Sequence, residues 1–297
     1  MSKIITLQND NMIVEISTLG AELQSIVVDG KQRLWDGNPE FWKGHAPVLF
    51  PVCGRLNGDK YYYDGKEYSF GGIHGFAKRQ EFEVVSLEKT QATFLIESND
   101  ETRKMYPFEF AFRVMYKIID NQLAVYYFVE NKDSKDLLYN VGCHEAFMLD
   151  SDLTNYQLEF TEDKDFLKNM AYSENGLLGK YYDIPLDGQV LQLNNDFFQG
   201  GRQLDFGYAL HDSIVVEKIK SKRVNLLKNG EKVLSVYYND FENLVVWTEV
   251  GSKFLAIEPW DGLPDYADCS HKLIEKKGIR SLKSGEHKSF YHSIMFY

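Results

Sequence analysis

Cysteine is scarce in this chain of 297 residues. Cys53, Cys143 and Cys269 stand far apart with no C-x-x-C spacing, which excludes a disulfide framework and a zinc knuckle. Positive charge is also short: 33 Lys and Arg face 44 Asp and Glu, a formal net charge of −11. The nearest approach to a basic run, Lys218-Ile219-Lys220-Ser221-Lys222-Arg223, reads as the solvent face of a strand and its turn. No nucleic-acid partner is expected, because binding a duplex needs a cationic footprint that this composition does not supply. No apolar stretch approaches the ~20 residues of a spanning helix, and residues 1–10 contain no apolar secretory region. The expectation is a cytoplasmic protein with no membrane partner. Also absent are the H-x-H and H-E-x-x-H spacings of metal sites and the G-x-S-x-G of a nucleophile elbow. No metal is therefore expected.

Aromatic residues, by contrast, are plentiful: 19 Tyr, 20 Phe and 4 Trp, a bias toward strands and, more weakly, toward surfaces that stack on sugars. Asp-Gly recurs at 29–30, 36–37, 64–65, 187–188 and 261–262, and Asn-Gly at 57–58, 175–176 and 229–230. Between β-rich runs these dipeptides are strong hairpin signals, because both residues tolerate positive φ. Hairpins are expected at Tyr61–Tyr68, at Val224–Tyr238 turning on Asn229-Gly230, and at Phe108–Val129 turning on Asp120-Asn121. In the last, Phe110, Phe112, Val114, Tyr116 and Ile118 share one face. No window holds a 3.6-residue apolar period over three turns, so helices should be few and short. With no linker or repeat, the chain reads as one all-β domain over 1–297. The least regular stretch, 150–205, is expected to form long loops, with a rim over the site as one use for them.

Three titratable residues sit at structured corners: His74 in Gly72-Ile73-His74-Gly75-Phe76, His144 in Val141-Gly142-Cys143-His144-Glu145-Ala146-Phe147, and Glu258 in Ile257-Glu258-Pro259-Trp260-Asp261-Gly262. Taken singly, each has an ordinary structural role open to it. Each histidine can be satisfied by a nearby backbone group, and Glu258 can be an ion-pair partner for Arg55. Taken together, two imidazoles and a carboxylate can move protons near pH 7, particularly if burial raises the carboxyl pKa toward the range of a general base. Arg55 brings a bidentate fork, Trp260 a ring for stacking, and Asp212 opens a strand. Glu258 with Asp212 would also fit a two-carboxylate glycosidase, but that reading leaves both histidines unexplained.

The stretch Phe41-Trp42-Lys43-Gly44-His45-Ala46-Pro47-Val48-Leu49-Phe50-Pro51-Val52-Cys53-Gly54-Arg55-Leu56, with His74-Gly75-Phe76-Ala77, Gly142-Cys143-His144-Glu145-Ala146-Phe147, Asp212 ahead of Ile219-Lys220-Ser221, and Ile257–Gly262, resembles the aldose 1-epimerase (galactose mutarotase) family, in particular its LacX-type branch. The resemblance runs in order over nearly the whole chain. It implies a β-supersandwich with a cleft across one face, a small-molecule sugar substrate, no cofactor, and a monomer or homodimer. It further implies Glu258 as general base on the C1 hydroxyl and His144 as general acid on the ring oxygen. His74 and Arg55 would bind around C1, and Asp212 would hold sugar hydroxyls. Two departures stand out. Lys78 replaces a commoner Arg, and Glu145 replaces a commoner Pro, with the expectation that Glu145 raises the pKa of His144. The function so implied is interconversion of α and β anomers of a free hexose such as galactose or glucose. The alternatives are a hexose 6-phosphate mutarotase, with Lys78 and Arg79 as candidate phosphate contacts, and a sugar-binding or sensor protein without catalysis.

Overall fold

The computed structural model describes residues 2–172, 176–199, 202–203, 209–210 and 213–297. Two large antiparallel sheets dominate it. The first runs in the order Val190–Gln192, Tyr156–Phe160, Arg223–Lys228, Glu231–Tyr237, His287–Phe296, Gln122–Asn131, Phe110–Ile119, Gln91–Glu97, Glu83–Leu87. The second runs Ala146–Met148, Phe254–Trp260, Asn243–Trp247, Ser213–Val216, Phe166–Tyr172, Ala209–Leu210, Arg202–Gln203, with Leu178–Pro185 paired beside Phe166–Tyr172. A four-stranded sheet built from residues 4–32 adds its buried side chains to the same core. The architecture is the expected all-β supersandwich. Its one α-helix among the described residues is Asp100–Met105, capped by Asn99, whose side chain accepts from the backbone of Glu101 and Thr102. Among those residues no helix is long and apolar enough to cross a membrane.

The turn dipeptides act as expected. Asp64-Gly65 joins Tyr61–Tyr63 to Lys66–Tyr68, and Asn229-Gly230 joins Arg223–Lys228 to Glu231–Tyr237. Both pairs have positive φ at both residues, the twist that matches a two-residue hairpin. Asp120, also at positive φ, turns Phe110–Ile119 into Gln122–Asn131, and Phe110, Phe112, Val114, Tyr116 and Ile118 all face the core.

The stretch 150–205 departs from expectation. It holds paired strands at Tyr156–Phe160, Phe166–Tyr172, Leu178–Pro185 and Val190–Gln192 rather than long loops. The strand carrying Glu258 runs through Pro259, from Phe254 to Trp260. Cys143 donates its N–H to the Pro259 carbonyl at 3.1 Å, and the returning ladder bond would need an N–H that proline lacks. The Trp260 indole Nε1–H supplies a replacement, donating to the Cys143 carbonyl at 3.1 Å.

The pleat of the second sheet places the site. Along Phe254–Trp260, Leu255 and Ile257 face the main core between the sheets, as do Leu244, Val246, Ile214 and Val216 on the adjoining strands. The alternate residues Val215, Val245 and Trp260 form a separate apolar cluster, and Ala146, Phe254 and Ala256 form another. Alternation along a strand sends neighbours to opposite faces, so Glu258 and Trp247 lie on the side away from the main core. A cavity of about 740 Å³ opens on that side.

Candidate active site

Residues 140–146 form a short extended segment laced on both edges. On one side Asn140 donates to Pro51 O at 2.7 Å, and Gly142 and Leu49 exchange bonds of 3.1 and 3.0 Å. On the other, Ala146 pairs with Ala256, while Cys143 N–H reaches Pro259 O and Ile257 N–H reaches Glu145 O, each at 3.1 Å. That register sets residue 144 directly across from residue 258. The two side chains meet on the cavity face, with His144 Nε2 3.3 Å from Glu258 Oε2 and exposures of 10% and 1% for the two side chains. Both line the cavity. An imidazole and a carboxylate far apart in sequence are thereby brought within proton-transfer reach at its wall.

His74 joins them from another part of the chain. It has a left-handed backbone, φ 66°, uncommon for a residue with a side chain. Two bonds to Gly54 hold it: the His74 N–H donates to Gly54 O at 2.9 Å, and Gly54 N–H donates to His74 Nδ1 at 3.1 Å. Gly75 follows at φ 69°, where a Cβ would sit 2.2 Å from Phe50 O, so only glycine fits. Because Nδ1 accepts a backbone N–H, the neutral ring carries its proton on Nε2. Burial, the neighbouring His144, Lys78 and Arg55 hold the His74 pKa well below the ordinary 6.5. His74 is therefore a neutral hydrogen-bond donor, its ring edge-on to His144 at 5.5 Å and to Trp260 at 5.3 Å.

The rings around His144 were not found from the sequence. Trp42 stacks on it with centroids 5.0 Å apart and planes at 27°, and Trp247 meets it edge-on at 5.5 Å. Trp42 is fixed in turn: Trp35 Nε1 donates to its carbonyl at 2.7 Å, and Gly44 leaves room for its ring, since a Cβ there would lie 2.6 Å from Trp42 Cζ2. Trp42, Trp247 and Trp260 all line the cavity, as do Asn57, Asp59 and Ser213. Trp42 belongs to the same Phe41–Leu56 stretch that carries Arg55. Trp247 lies two residues from cavity-lining Val245 on one strand, but the continuous buried run Asn243–Val246 hides the alternation that would expose it.

Of the residues singled out in the sequence, Arg55, His74, His144, Glu258 and Trp260 all line the one cavity. Arg55 is exposed at its rim and makes no ion pair with Glu258 among the described residues. Trp260 is 3% exposed and bonded to the Cys143 carbonyl. Asp212 lies outside the described residues. Glu145 departs from expectation: its carboxylate turns away from His144 into the main core, Oε1 lying 3.0 Å from His292 Nε2. Alternation requires this, because 144 faces the cavity and 145 must face the other way. Lys78 and Arg79 do not line the cavity. Lys78 has its pKa pushed down to about 8, chiefly by burial, and Arg79 donates to the Phe70 carbonyl. Only one trio of possible metal ligands comes together among the described residues, namely Cys143, Glu145 and His292, and it lies in the core rather than the cavity.

Fold and site together define a β-supersandwich protein with a buried imidazole–carboxylate pair in an indole-walled cavity. Residues 3–294 match the aldose 1-epimerase family. The chain is 34% identical over 289 residues to the plasmid-encoded protein LacX of Lactococcus lactis subsp. lactis, covering 93% of each sequence. It superposes on the crystal structure of a galactose mutarotase related enzyme from Lactobacillus acidophilus with a TM-score of 0.90 at 30% identity, covering 99% of this chain and 97% of that one. A galactose mutarotase-like protein from Lactobacillus casei ATCC 334 gives 0.87 at 30% identity, with 99% and 100% covered. The chain belongs to the aldose 1-epimerase family.

Proposed function

We propose that this protein interconverts the α and β anomers of a free aldohexose. The observation that carries the proposal is the His144–Glu258 pair, 3.3 Å apart and buried at the wall of a cavity of about 740 Å³. The ring oxygen and the C1 hydroxyl oxygen of a pyranose are bonded to the same carbon. One acid and one base set side by side can therefore serve both. Glu258 takes the proton of the C1 hydroxyl while His144, as imidazolium, protonates the ring oxygen. The C1–O5 bond breaks, leaving an aldehyde at C1 and a hydroxyl on the former ring oxygen. After rotation about C1–C2, His144 recovers its proton from that hydroxyl as the oxygen attacks C1, and Glu258 returns its proton to the carbonyl oxygen. The enzyme ends in the protonation state in which it began. Neutral His74 donates from Nε2, Arg55 contributes fixed positive charge at the rim, and the three indoles offer apolar faces to sugar C–H groups. Acid–base assistance of this kind contributes about 10²–10⁴-fold.

A panel of hexoses and their 6-phosphates, followed by NMR exchange between anomeric C1–H signals, tests the reading and names the substrate. Faster exchange for at least one unphosphorylated hexose is expected. Acceleration of the 6-phosphates alone would replace the free-sugar reading. Saturable binding without acceleration would make this a binding protein.

A further inference from the structure

The mechanism leaves one group of buried polar side chains unused. Directly behind His144, on the core face of the same segment, the Cys143 sulfur, a Glu145 carboxylate oxygen and a His292 ring nitrogen lie within 4.8 Å of one another. All three residues are buried. His292 belongs to His287–Phe296, an interior strand of the opposite sheet, and pairs with Val125. Its ring stacks on Tyr127 at 5.7 Å and 13° and meets Phe241 edge-on at 6.1 Å. The Cys143 thiol donates to the Pro259 carbonyl at 3.4 Å, beside Glu258. Glu145 Oε2 and His292 Nδ1 have no hydrogen-bond partner among the described residues, and the 3.0 Å contact between Oε1 and Nε2 ties the two sheets together at this point.

A carboxylate and an imidazole in the middle of a sandwich core are poor choices for stability alone, since well-packed apolar residues of similar volume often serve as well or better. What they supply is direction. An apolar contact tolerates sliding and rotation, whereas a hydrogen bond to a charged group fixes both distance and angle. Fixing Glu145 on the core side fixes, through the pleat, the aim of His144 on the cavity side.

We propose that Glu145 and His292 form a positioning lock that anchors the 143–145 segment to the opposite sheet and so holds the His144 imidazole in line with Glu258. The proposal rests on the reading of His144 and Glu258 as the proton-transfer pair. Burial pushes the Glu145 carboxyl up, but His292, the Cys143 thiol and a backbone N–H together outweigh it and the carboxyl stays below its ordinary range, consistent with a charged acceptor facing the ring. The lock is a packing device one residue away from the chemistry, and displacement of a catalytic group by about 1 Å can cost on the order of 100-fold in rate.

Three variants of the full chain test it: Glu145→Gln, which keeps an acceptor for the His292 Nε2–H; Glu145→Leu, which orphans His292; and the double Glu145→Leu/His292→Leu, which removes both polar groups and remains folded even if the single variant does not. Each is measured for kcat and KM on the hexose accelerated best, for thermal midpoint, and by ¹⁵N spectra of the histidine side chains. The expected result is a double variant with a midpoint near that of the wild type, kcat lower by about tenfold or more, and KM within about twofold. The His144 nitrogen signals should shift, while Glu145→Gln leaves both rate and signals close to wild type. Unchanged His144 signals and unchanged kcat in the double variant would overturn the lock, as would a stoichiometric metal ion held by Cys143, Glu145 and His292 in the purified protein. If the wild type accelerates no sugar, the functional reading fails by itself, and the nitrogen spectra still decide on the lock.

Discussion

Two buried histidine–glutamate pairs lie back to back on the same short segment. His144 and Glu258 are 3.3 Å apart, His292 and Glu145 3.0 Å. Their residue types and burial are nearly the same, and both couple sequence-distant strands. What separates them is access: the first pair lines a cavity of about 740 Å³, and the second is sealed between two sheets with an aromatic ring on each of two sides. Residue chemistry alone therefore does not mark a site. The same pair of groups is open to a ligand on one face of the segment and closed to it on the other.

The largest effect should come from the open pair. Glu258→Gln is expected to lower kcat for anomer exchange by about 10²–10⁴-fold, with a smaller change in urea midpoint than Glu145→Ala, because glutamine keeps an acceptor oxygen facing His144. The sealed pair should show a smaller loss of rate together with a loss of stability. Glu145→Ala leaves His292 without its partner and is expected to cost roughly 3–5 kcal/mol of folding free energy, read as a lower urea midpoint at constant m-value. If Glu145→Ala and Glu258→Gln gave the same profile in rate and stability, the distinction between the two pairs would collapse.

A third test uses pH. The His74 pKa is held well below 6.5 in the folded chain by burial and its cationic neighbours. The unfolded chain therefore takes up a proton there as pH falls through about 6.5, while the folded chain does not. Stability contributed by neutral His74 is present above that pH and is lost as pH falls toward the folded-state value, at up to about 1.4 kcal/mol per pH unit. His74→Gln should flatten this part of the decline between pH 7 and pH 5, measured as the wild-type-minus-variant difference in urea stability. The smallest effect belongs to the cavity wall. Trp42→Phe keeps a ring over His144 but shrinks the surface and should reduce kcat/KM by a few-fold, corresponding to about 1 kcal/mol.

Much of this was legible from the sequence, for physical reasons. Turn chemistry is local, so Asp64-Gly65, Asp120 and Asn229-Gly230 announced their hairpins through the positive φ they tolerate. His74 was legible because glycines crowd it, and Gly75 is where no side chain fits. The cross-strand meeting of residues 144 and 258 was not, since register between segments 114 residues apart depends on the whole sheet. The direction of Glu145 followed from that register and was misread without it. Trp247 was hidden because its strand is buried on both faces, leaving no alternation to read. The extension of the last site strand through Pro259 depended on an indole N–H substituting for the missing amide, a tertiary contact with no local signature.

The most direct test of the central claim is polarimetry of a freshly dissolved α-aldohexose, galactose first and glucose second, with catalytic amounts of the wild-type chain and of Glu258→Gln. The account predicts that the wild type brings the rotation to its equilibrium value well ahead of the buffer control, while Glu258→Gln follows the control to within the residual contribution of His144. A Glu258→Gln variant as fast as the wild type would contradict the assignment of the open pair as the site of proton transfer.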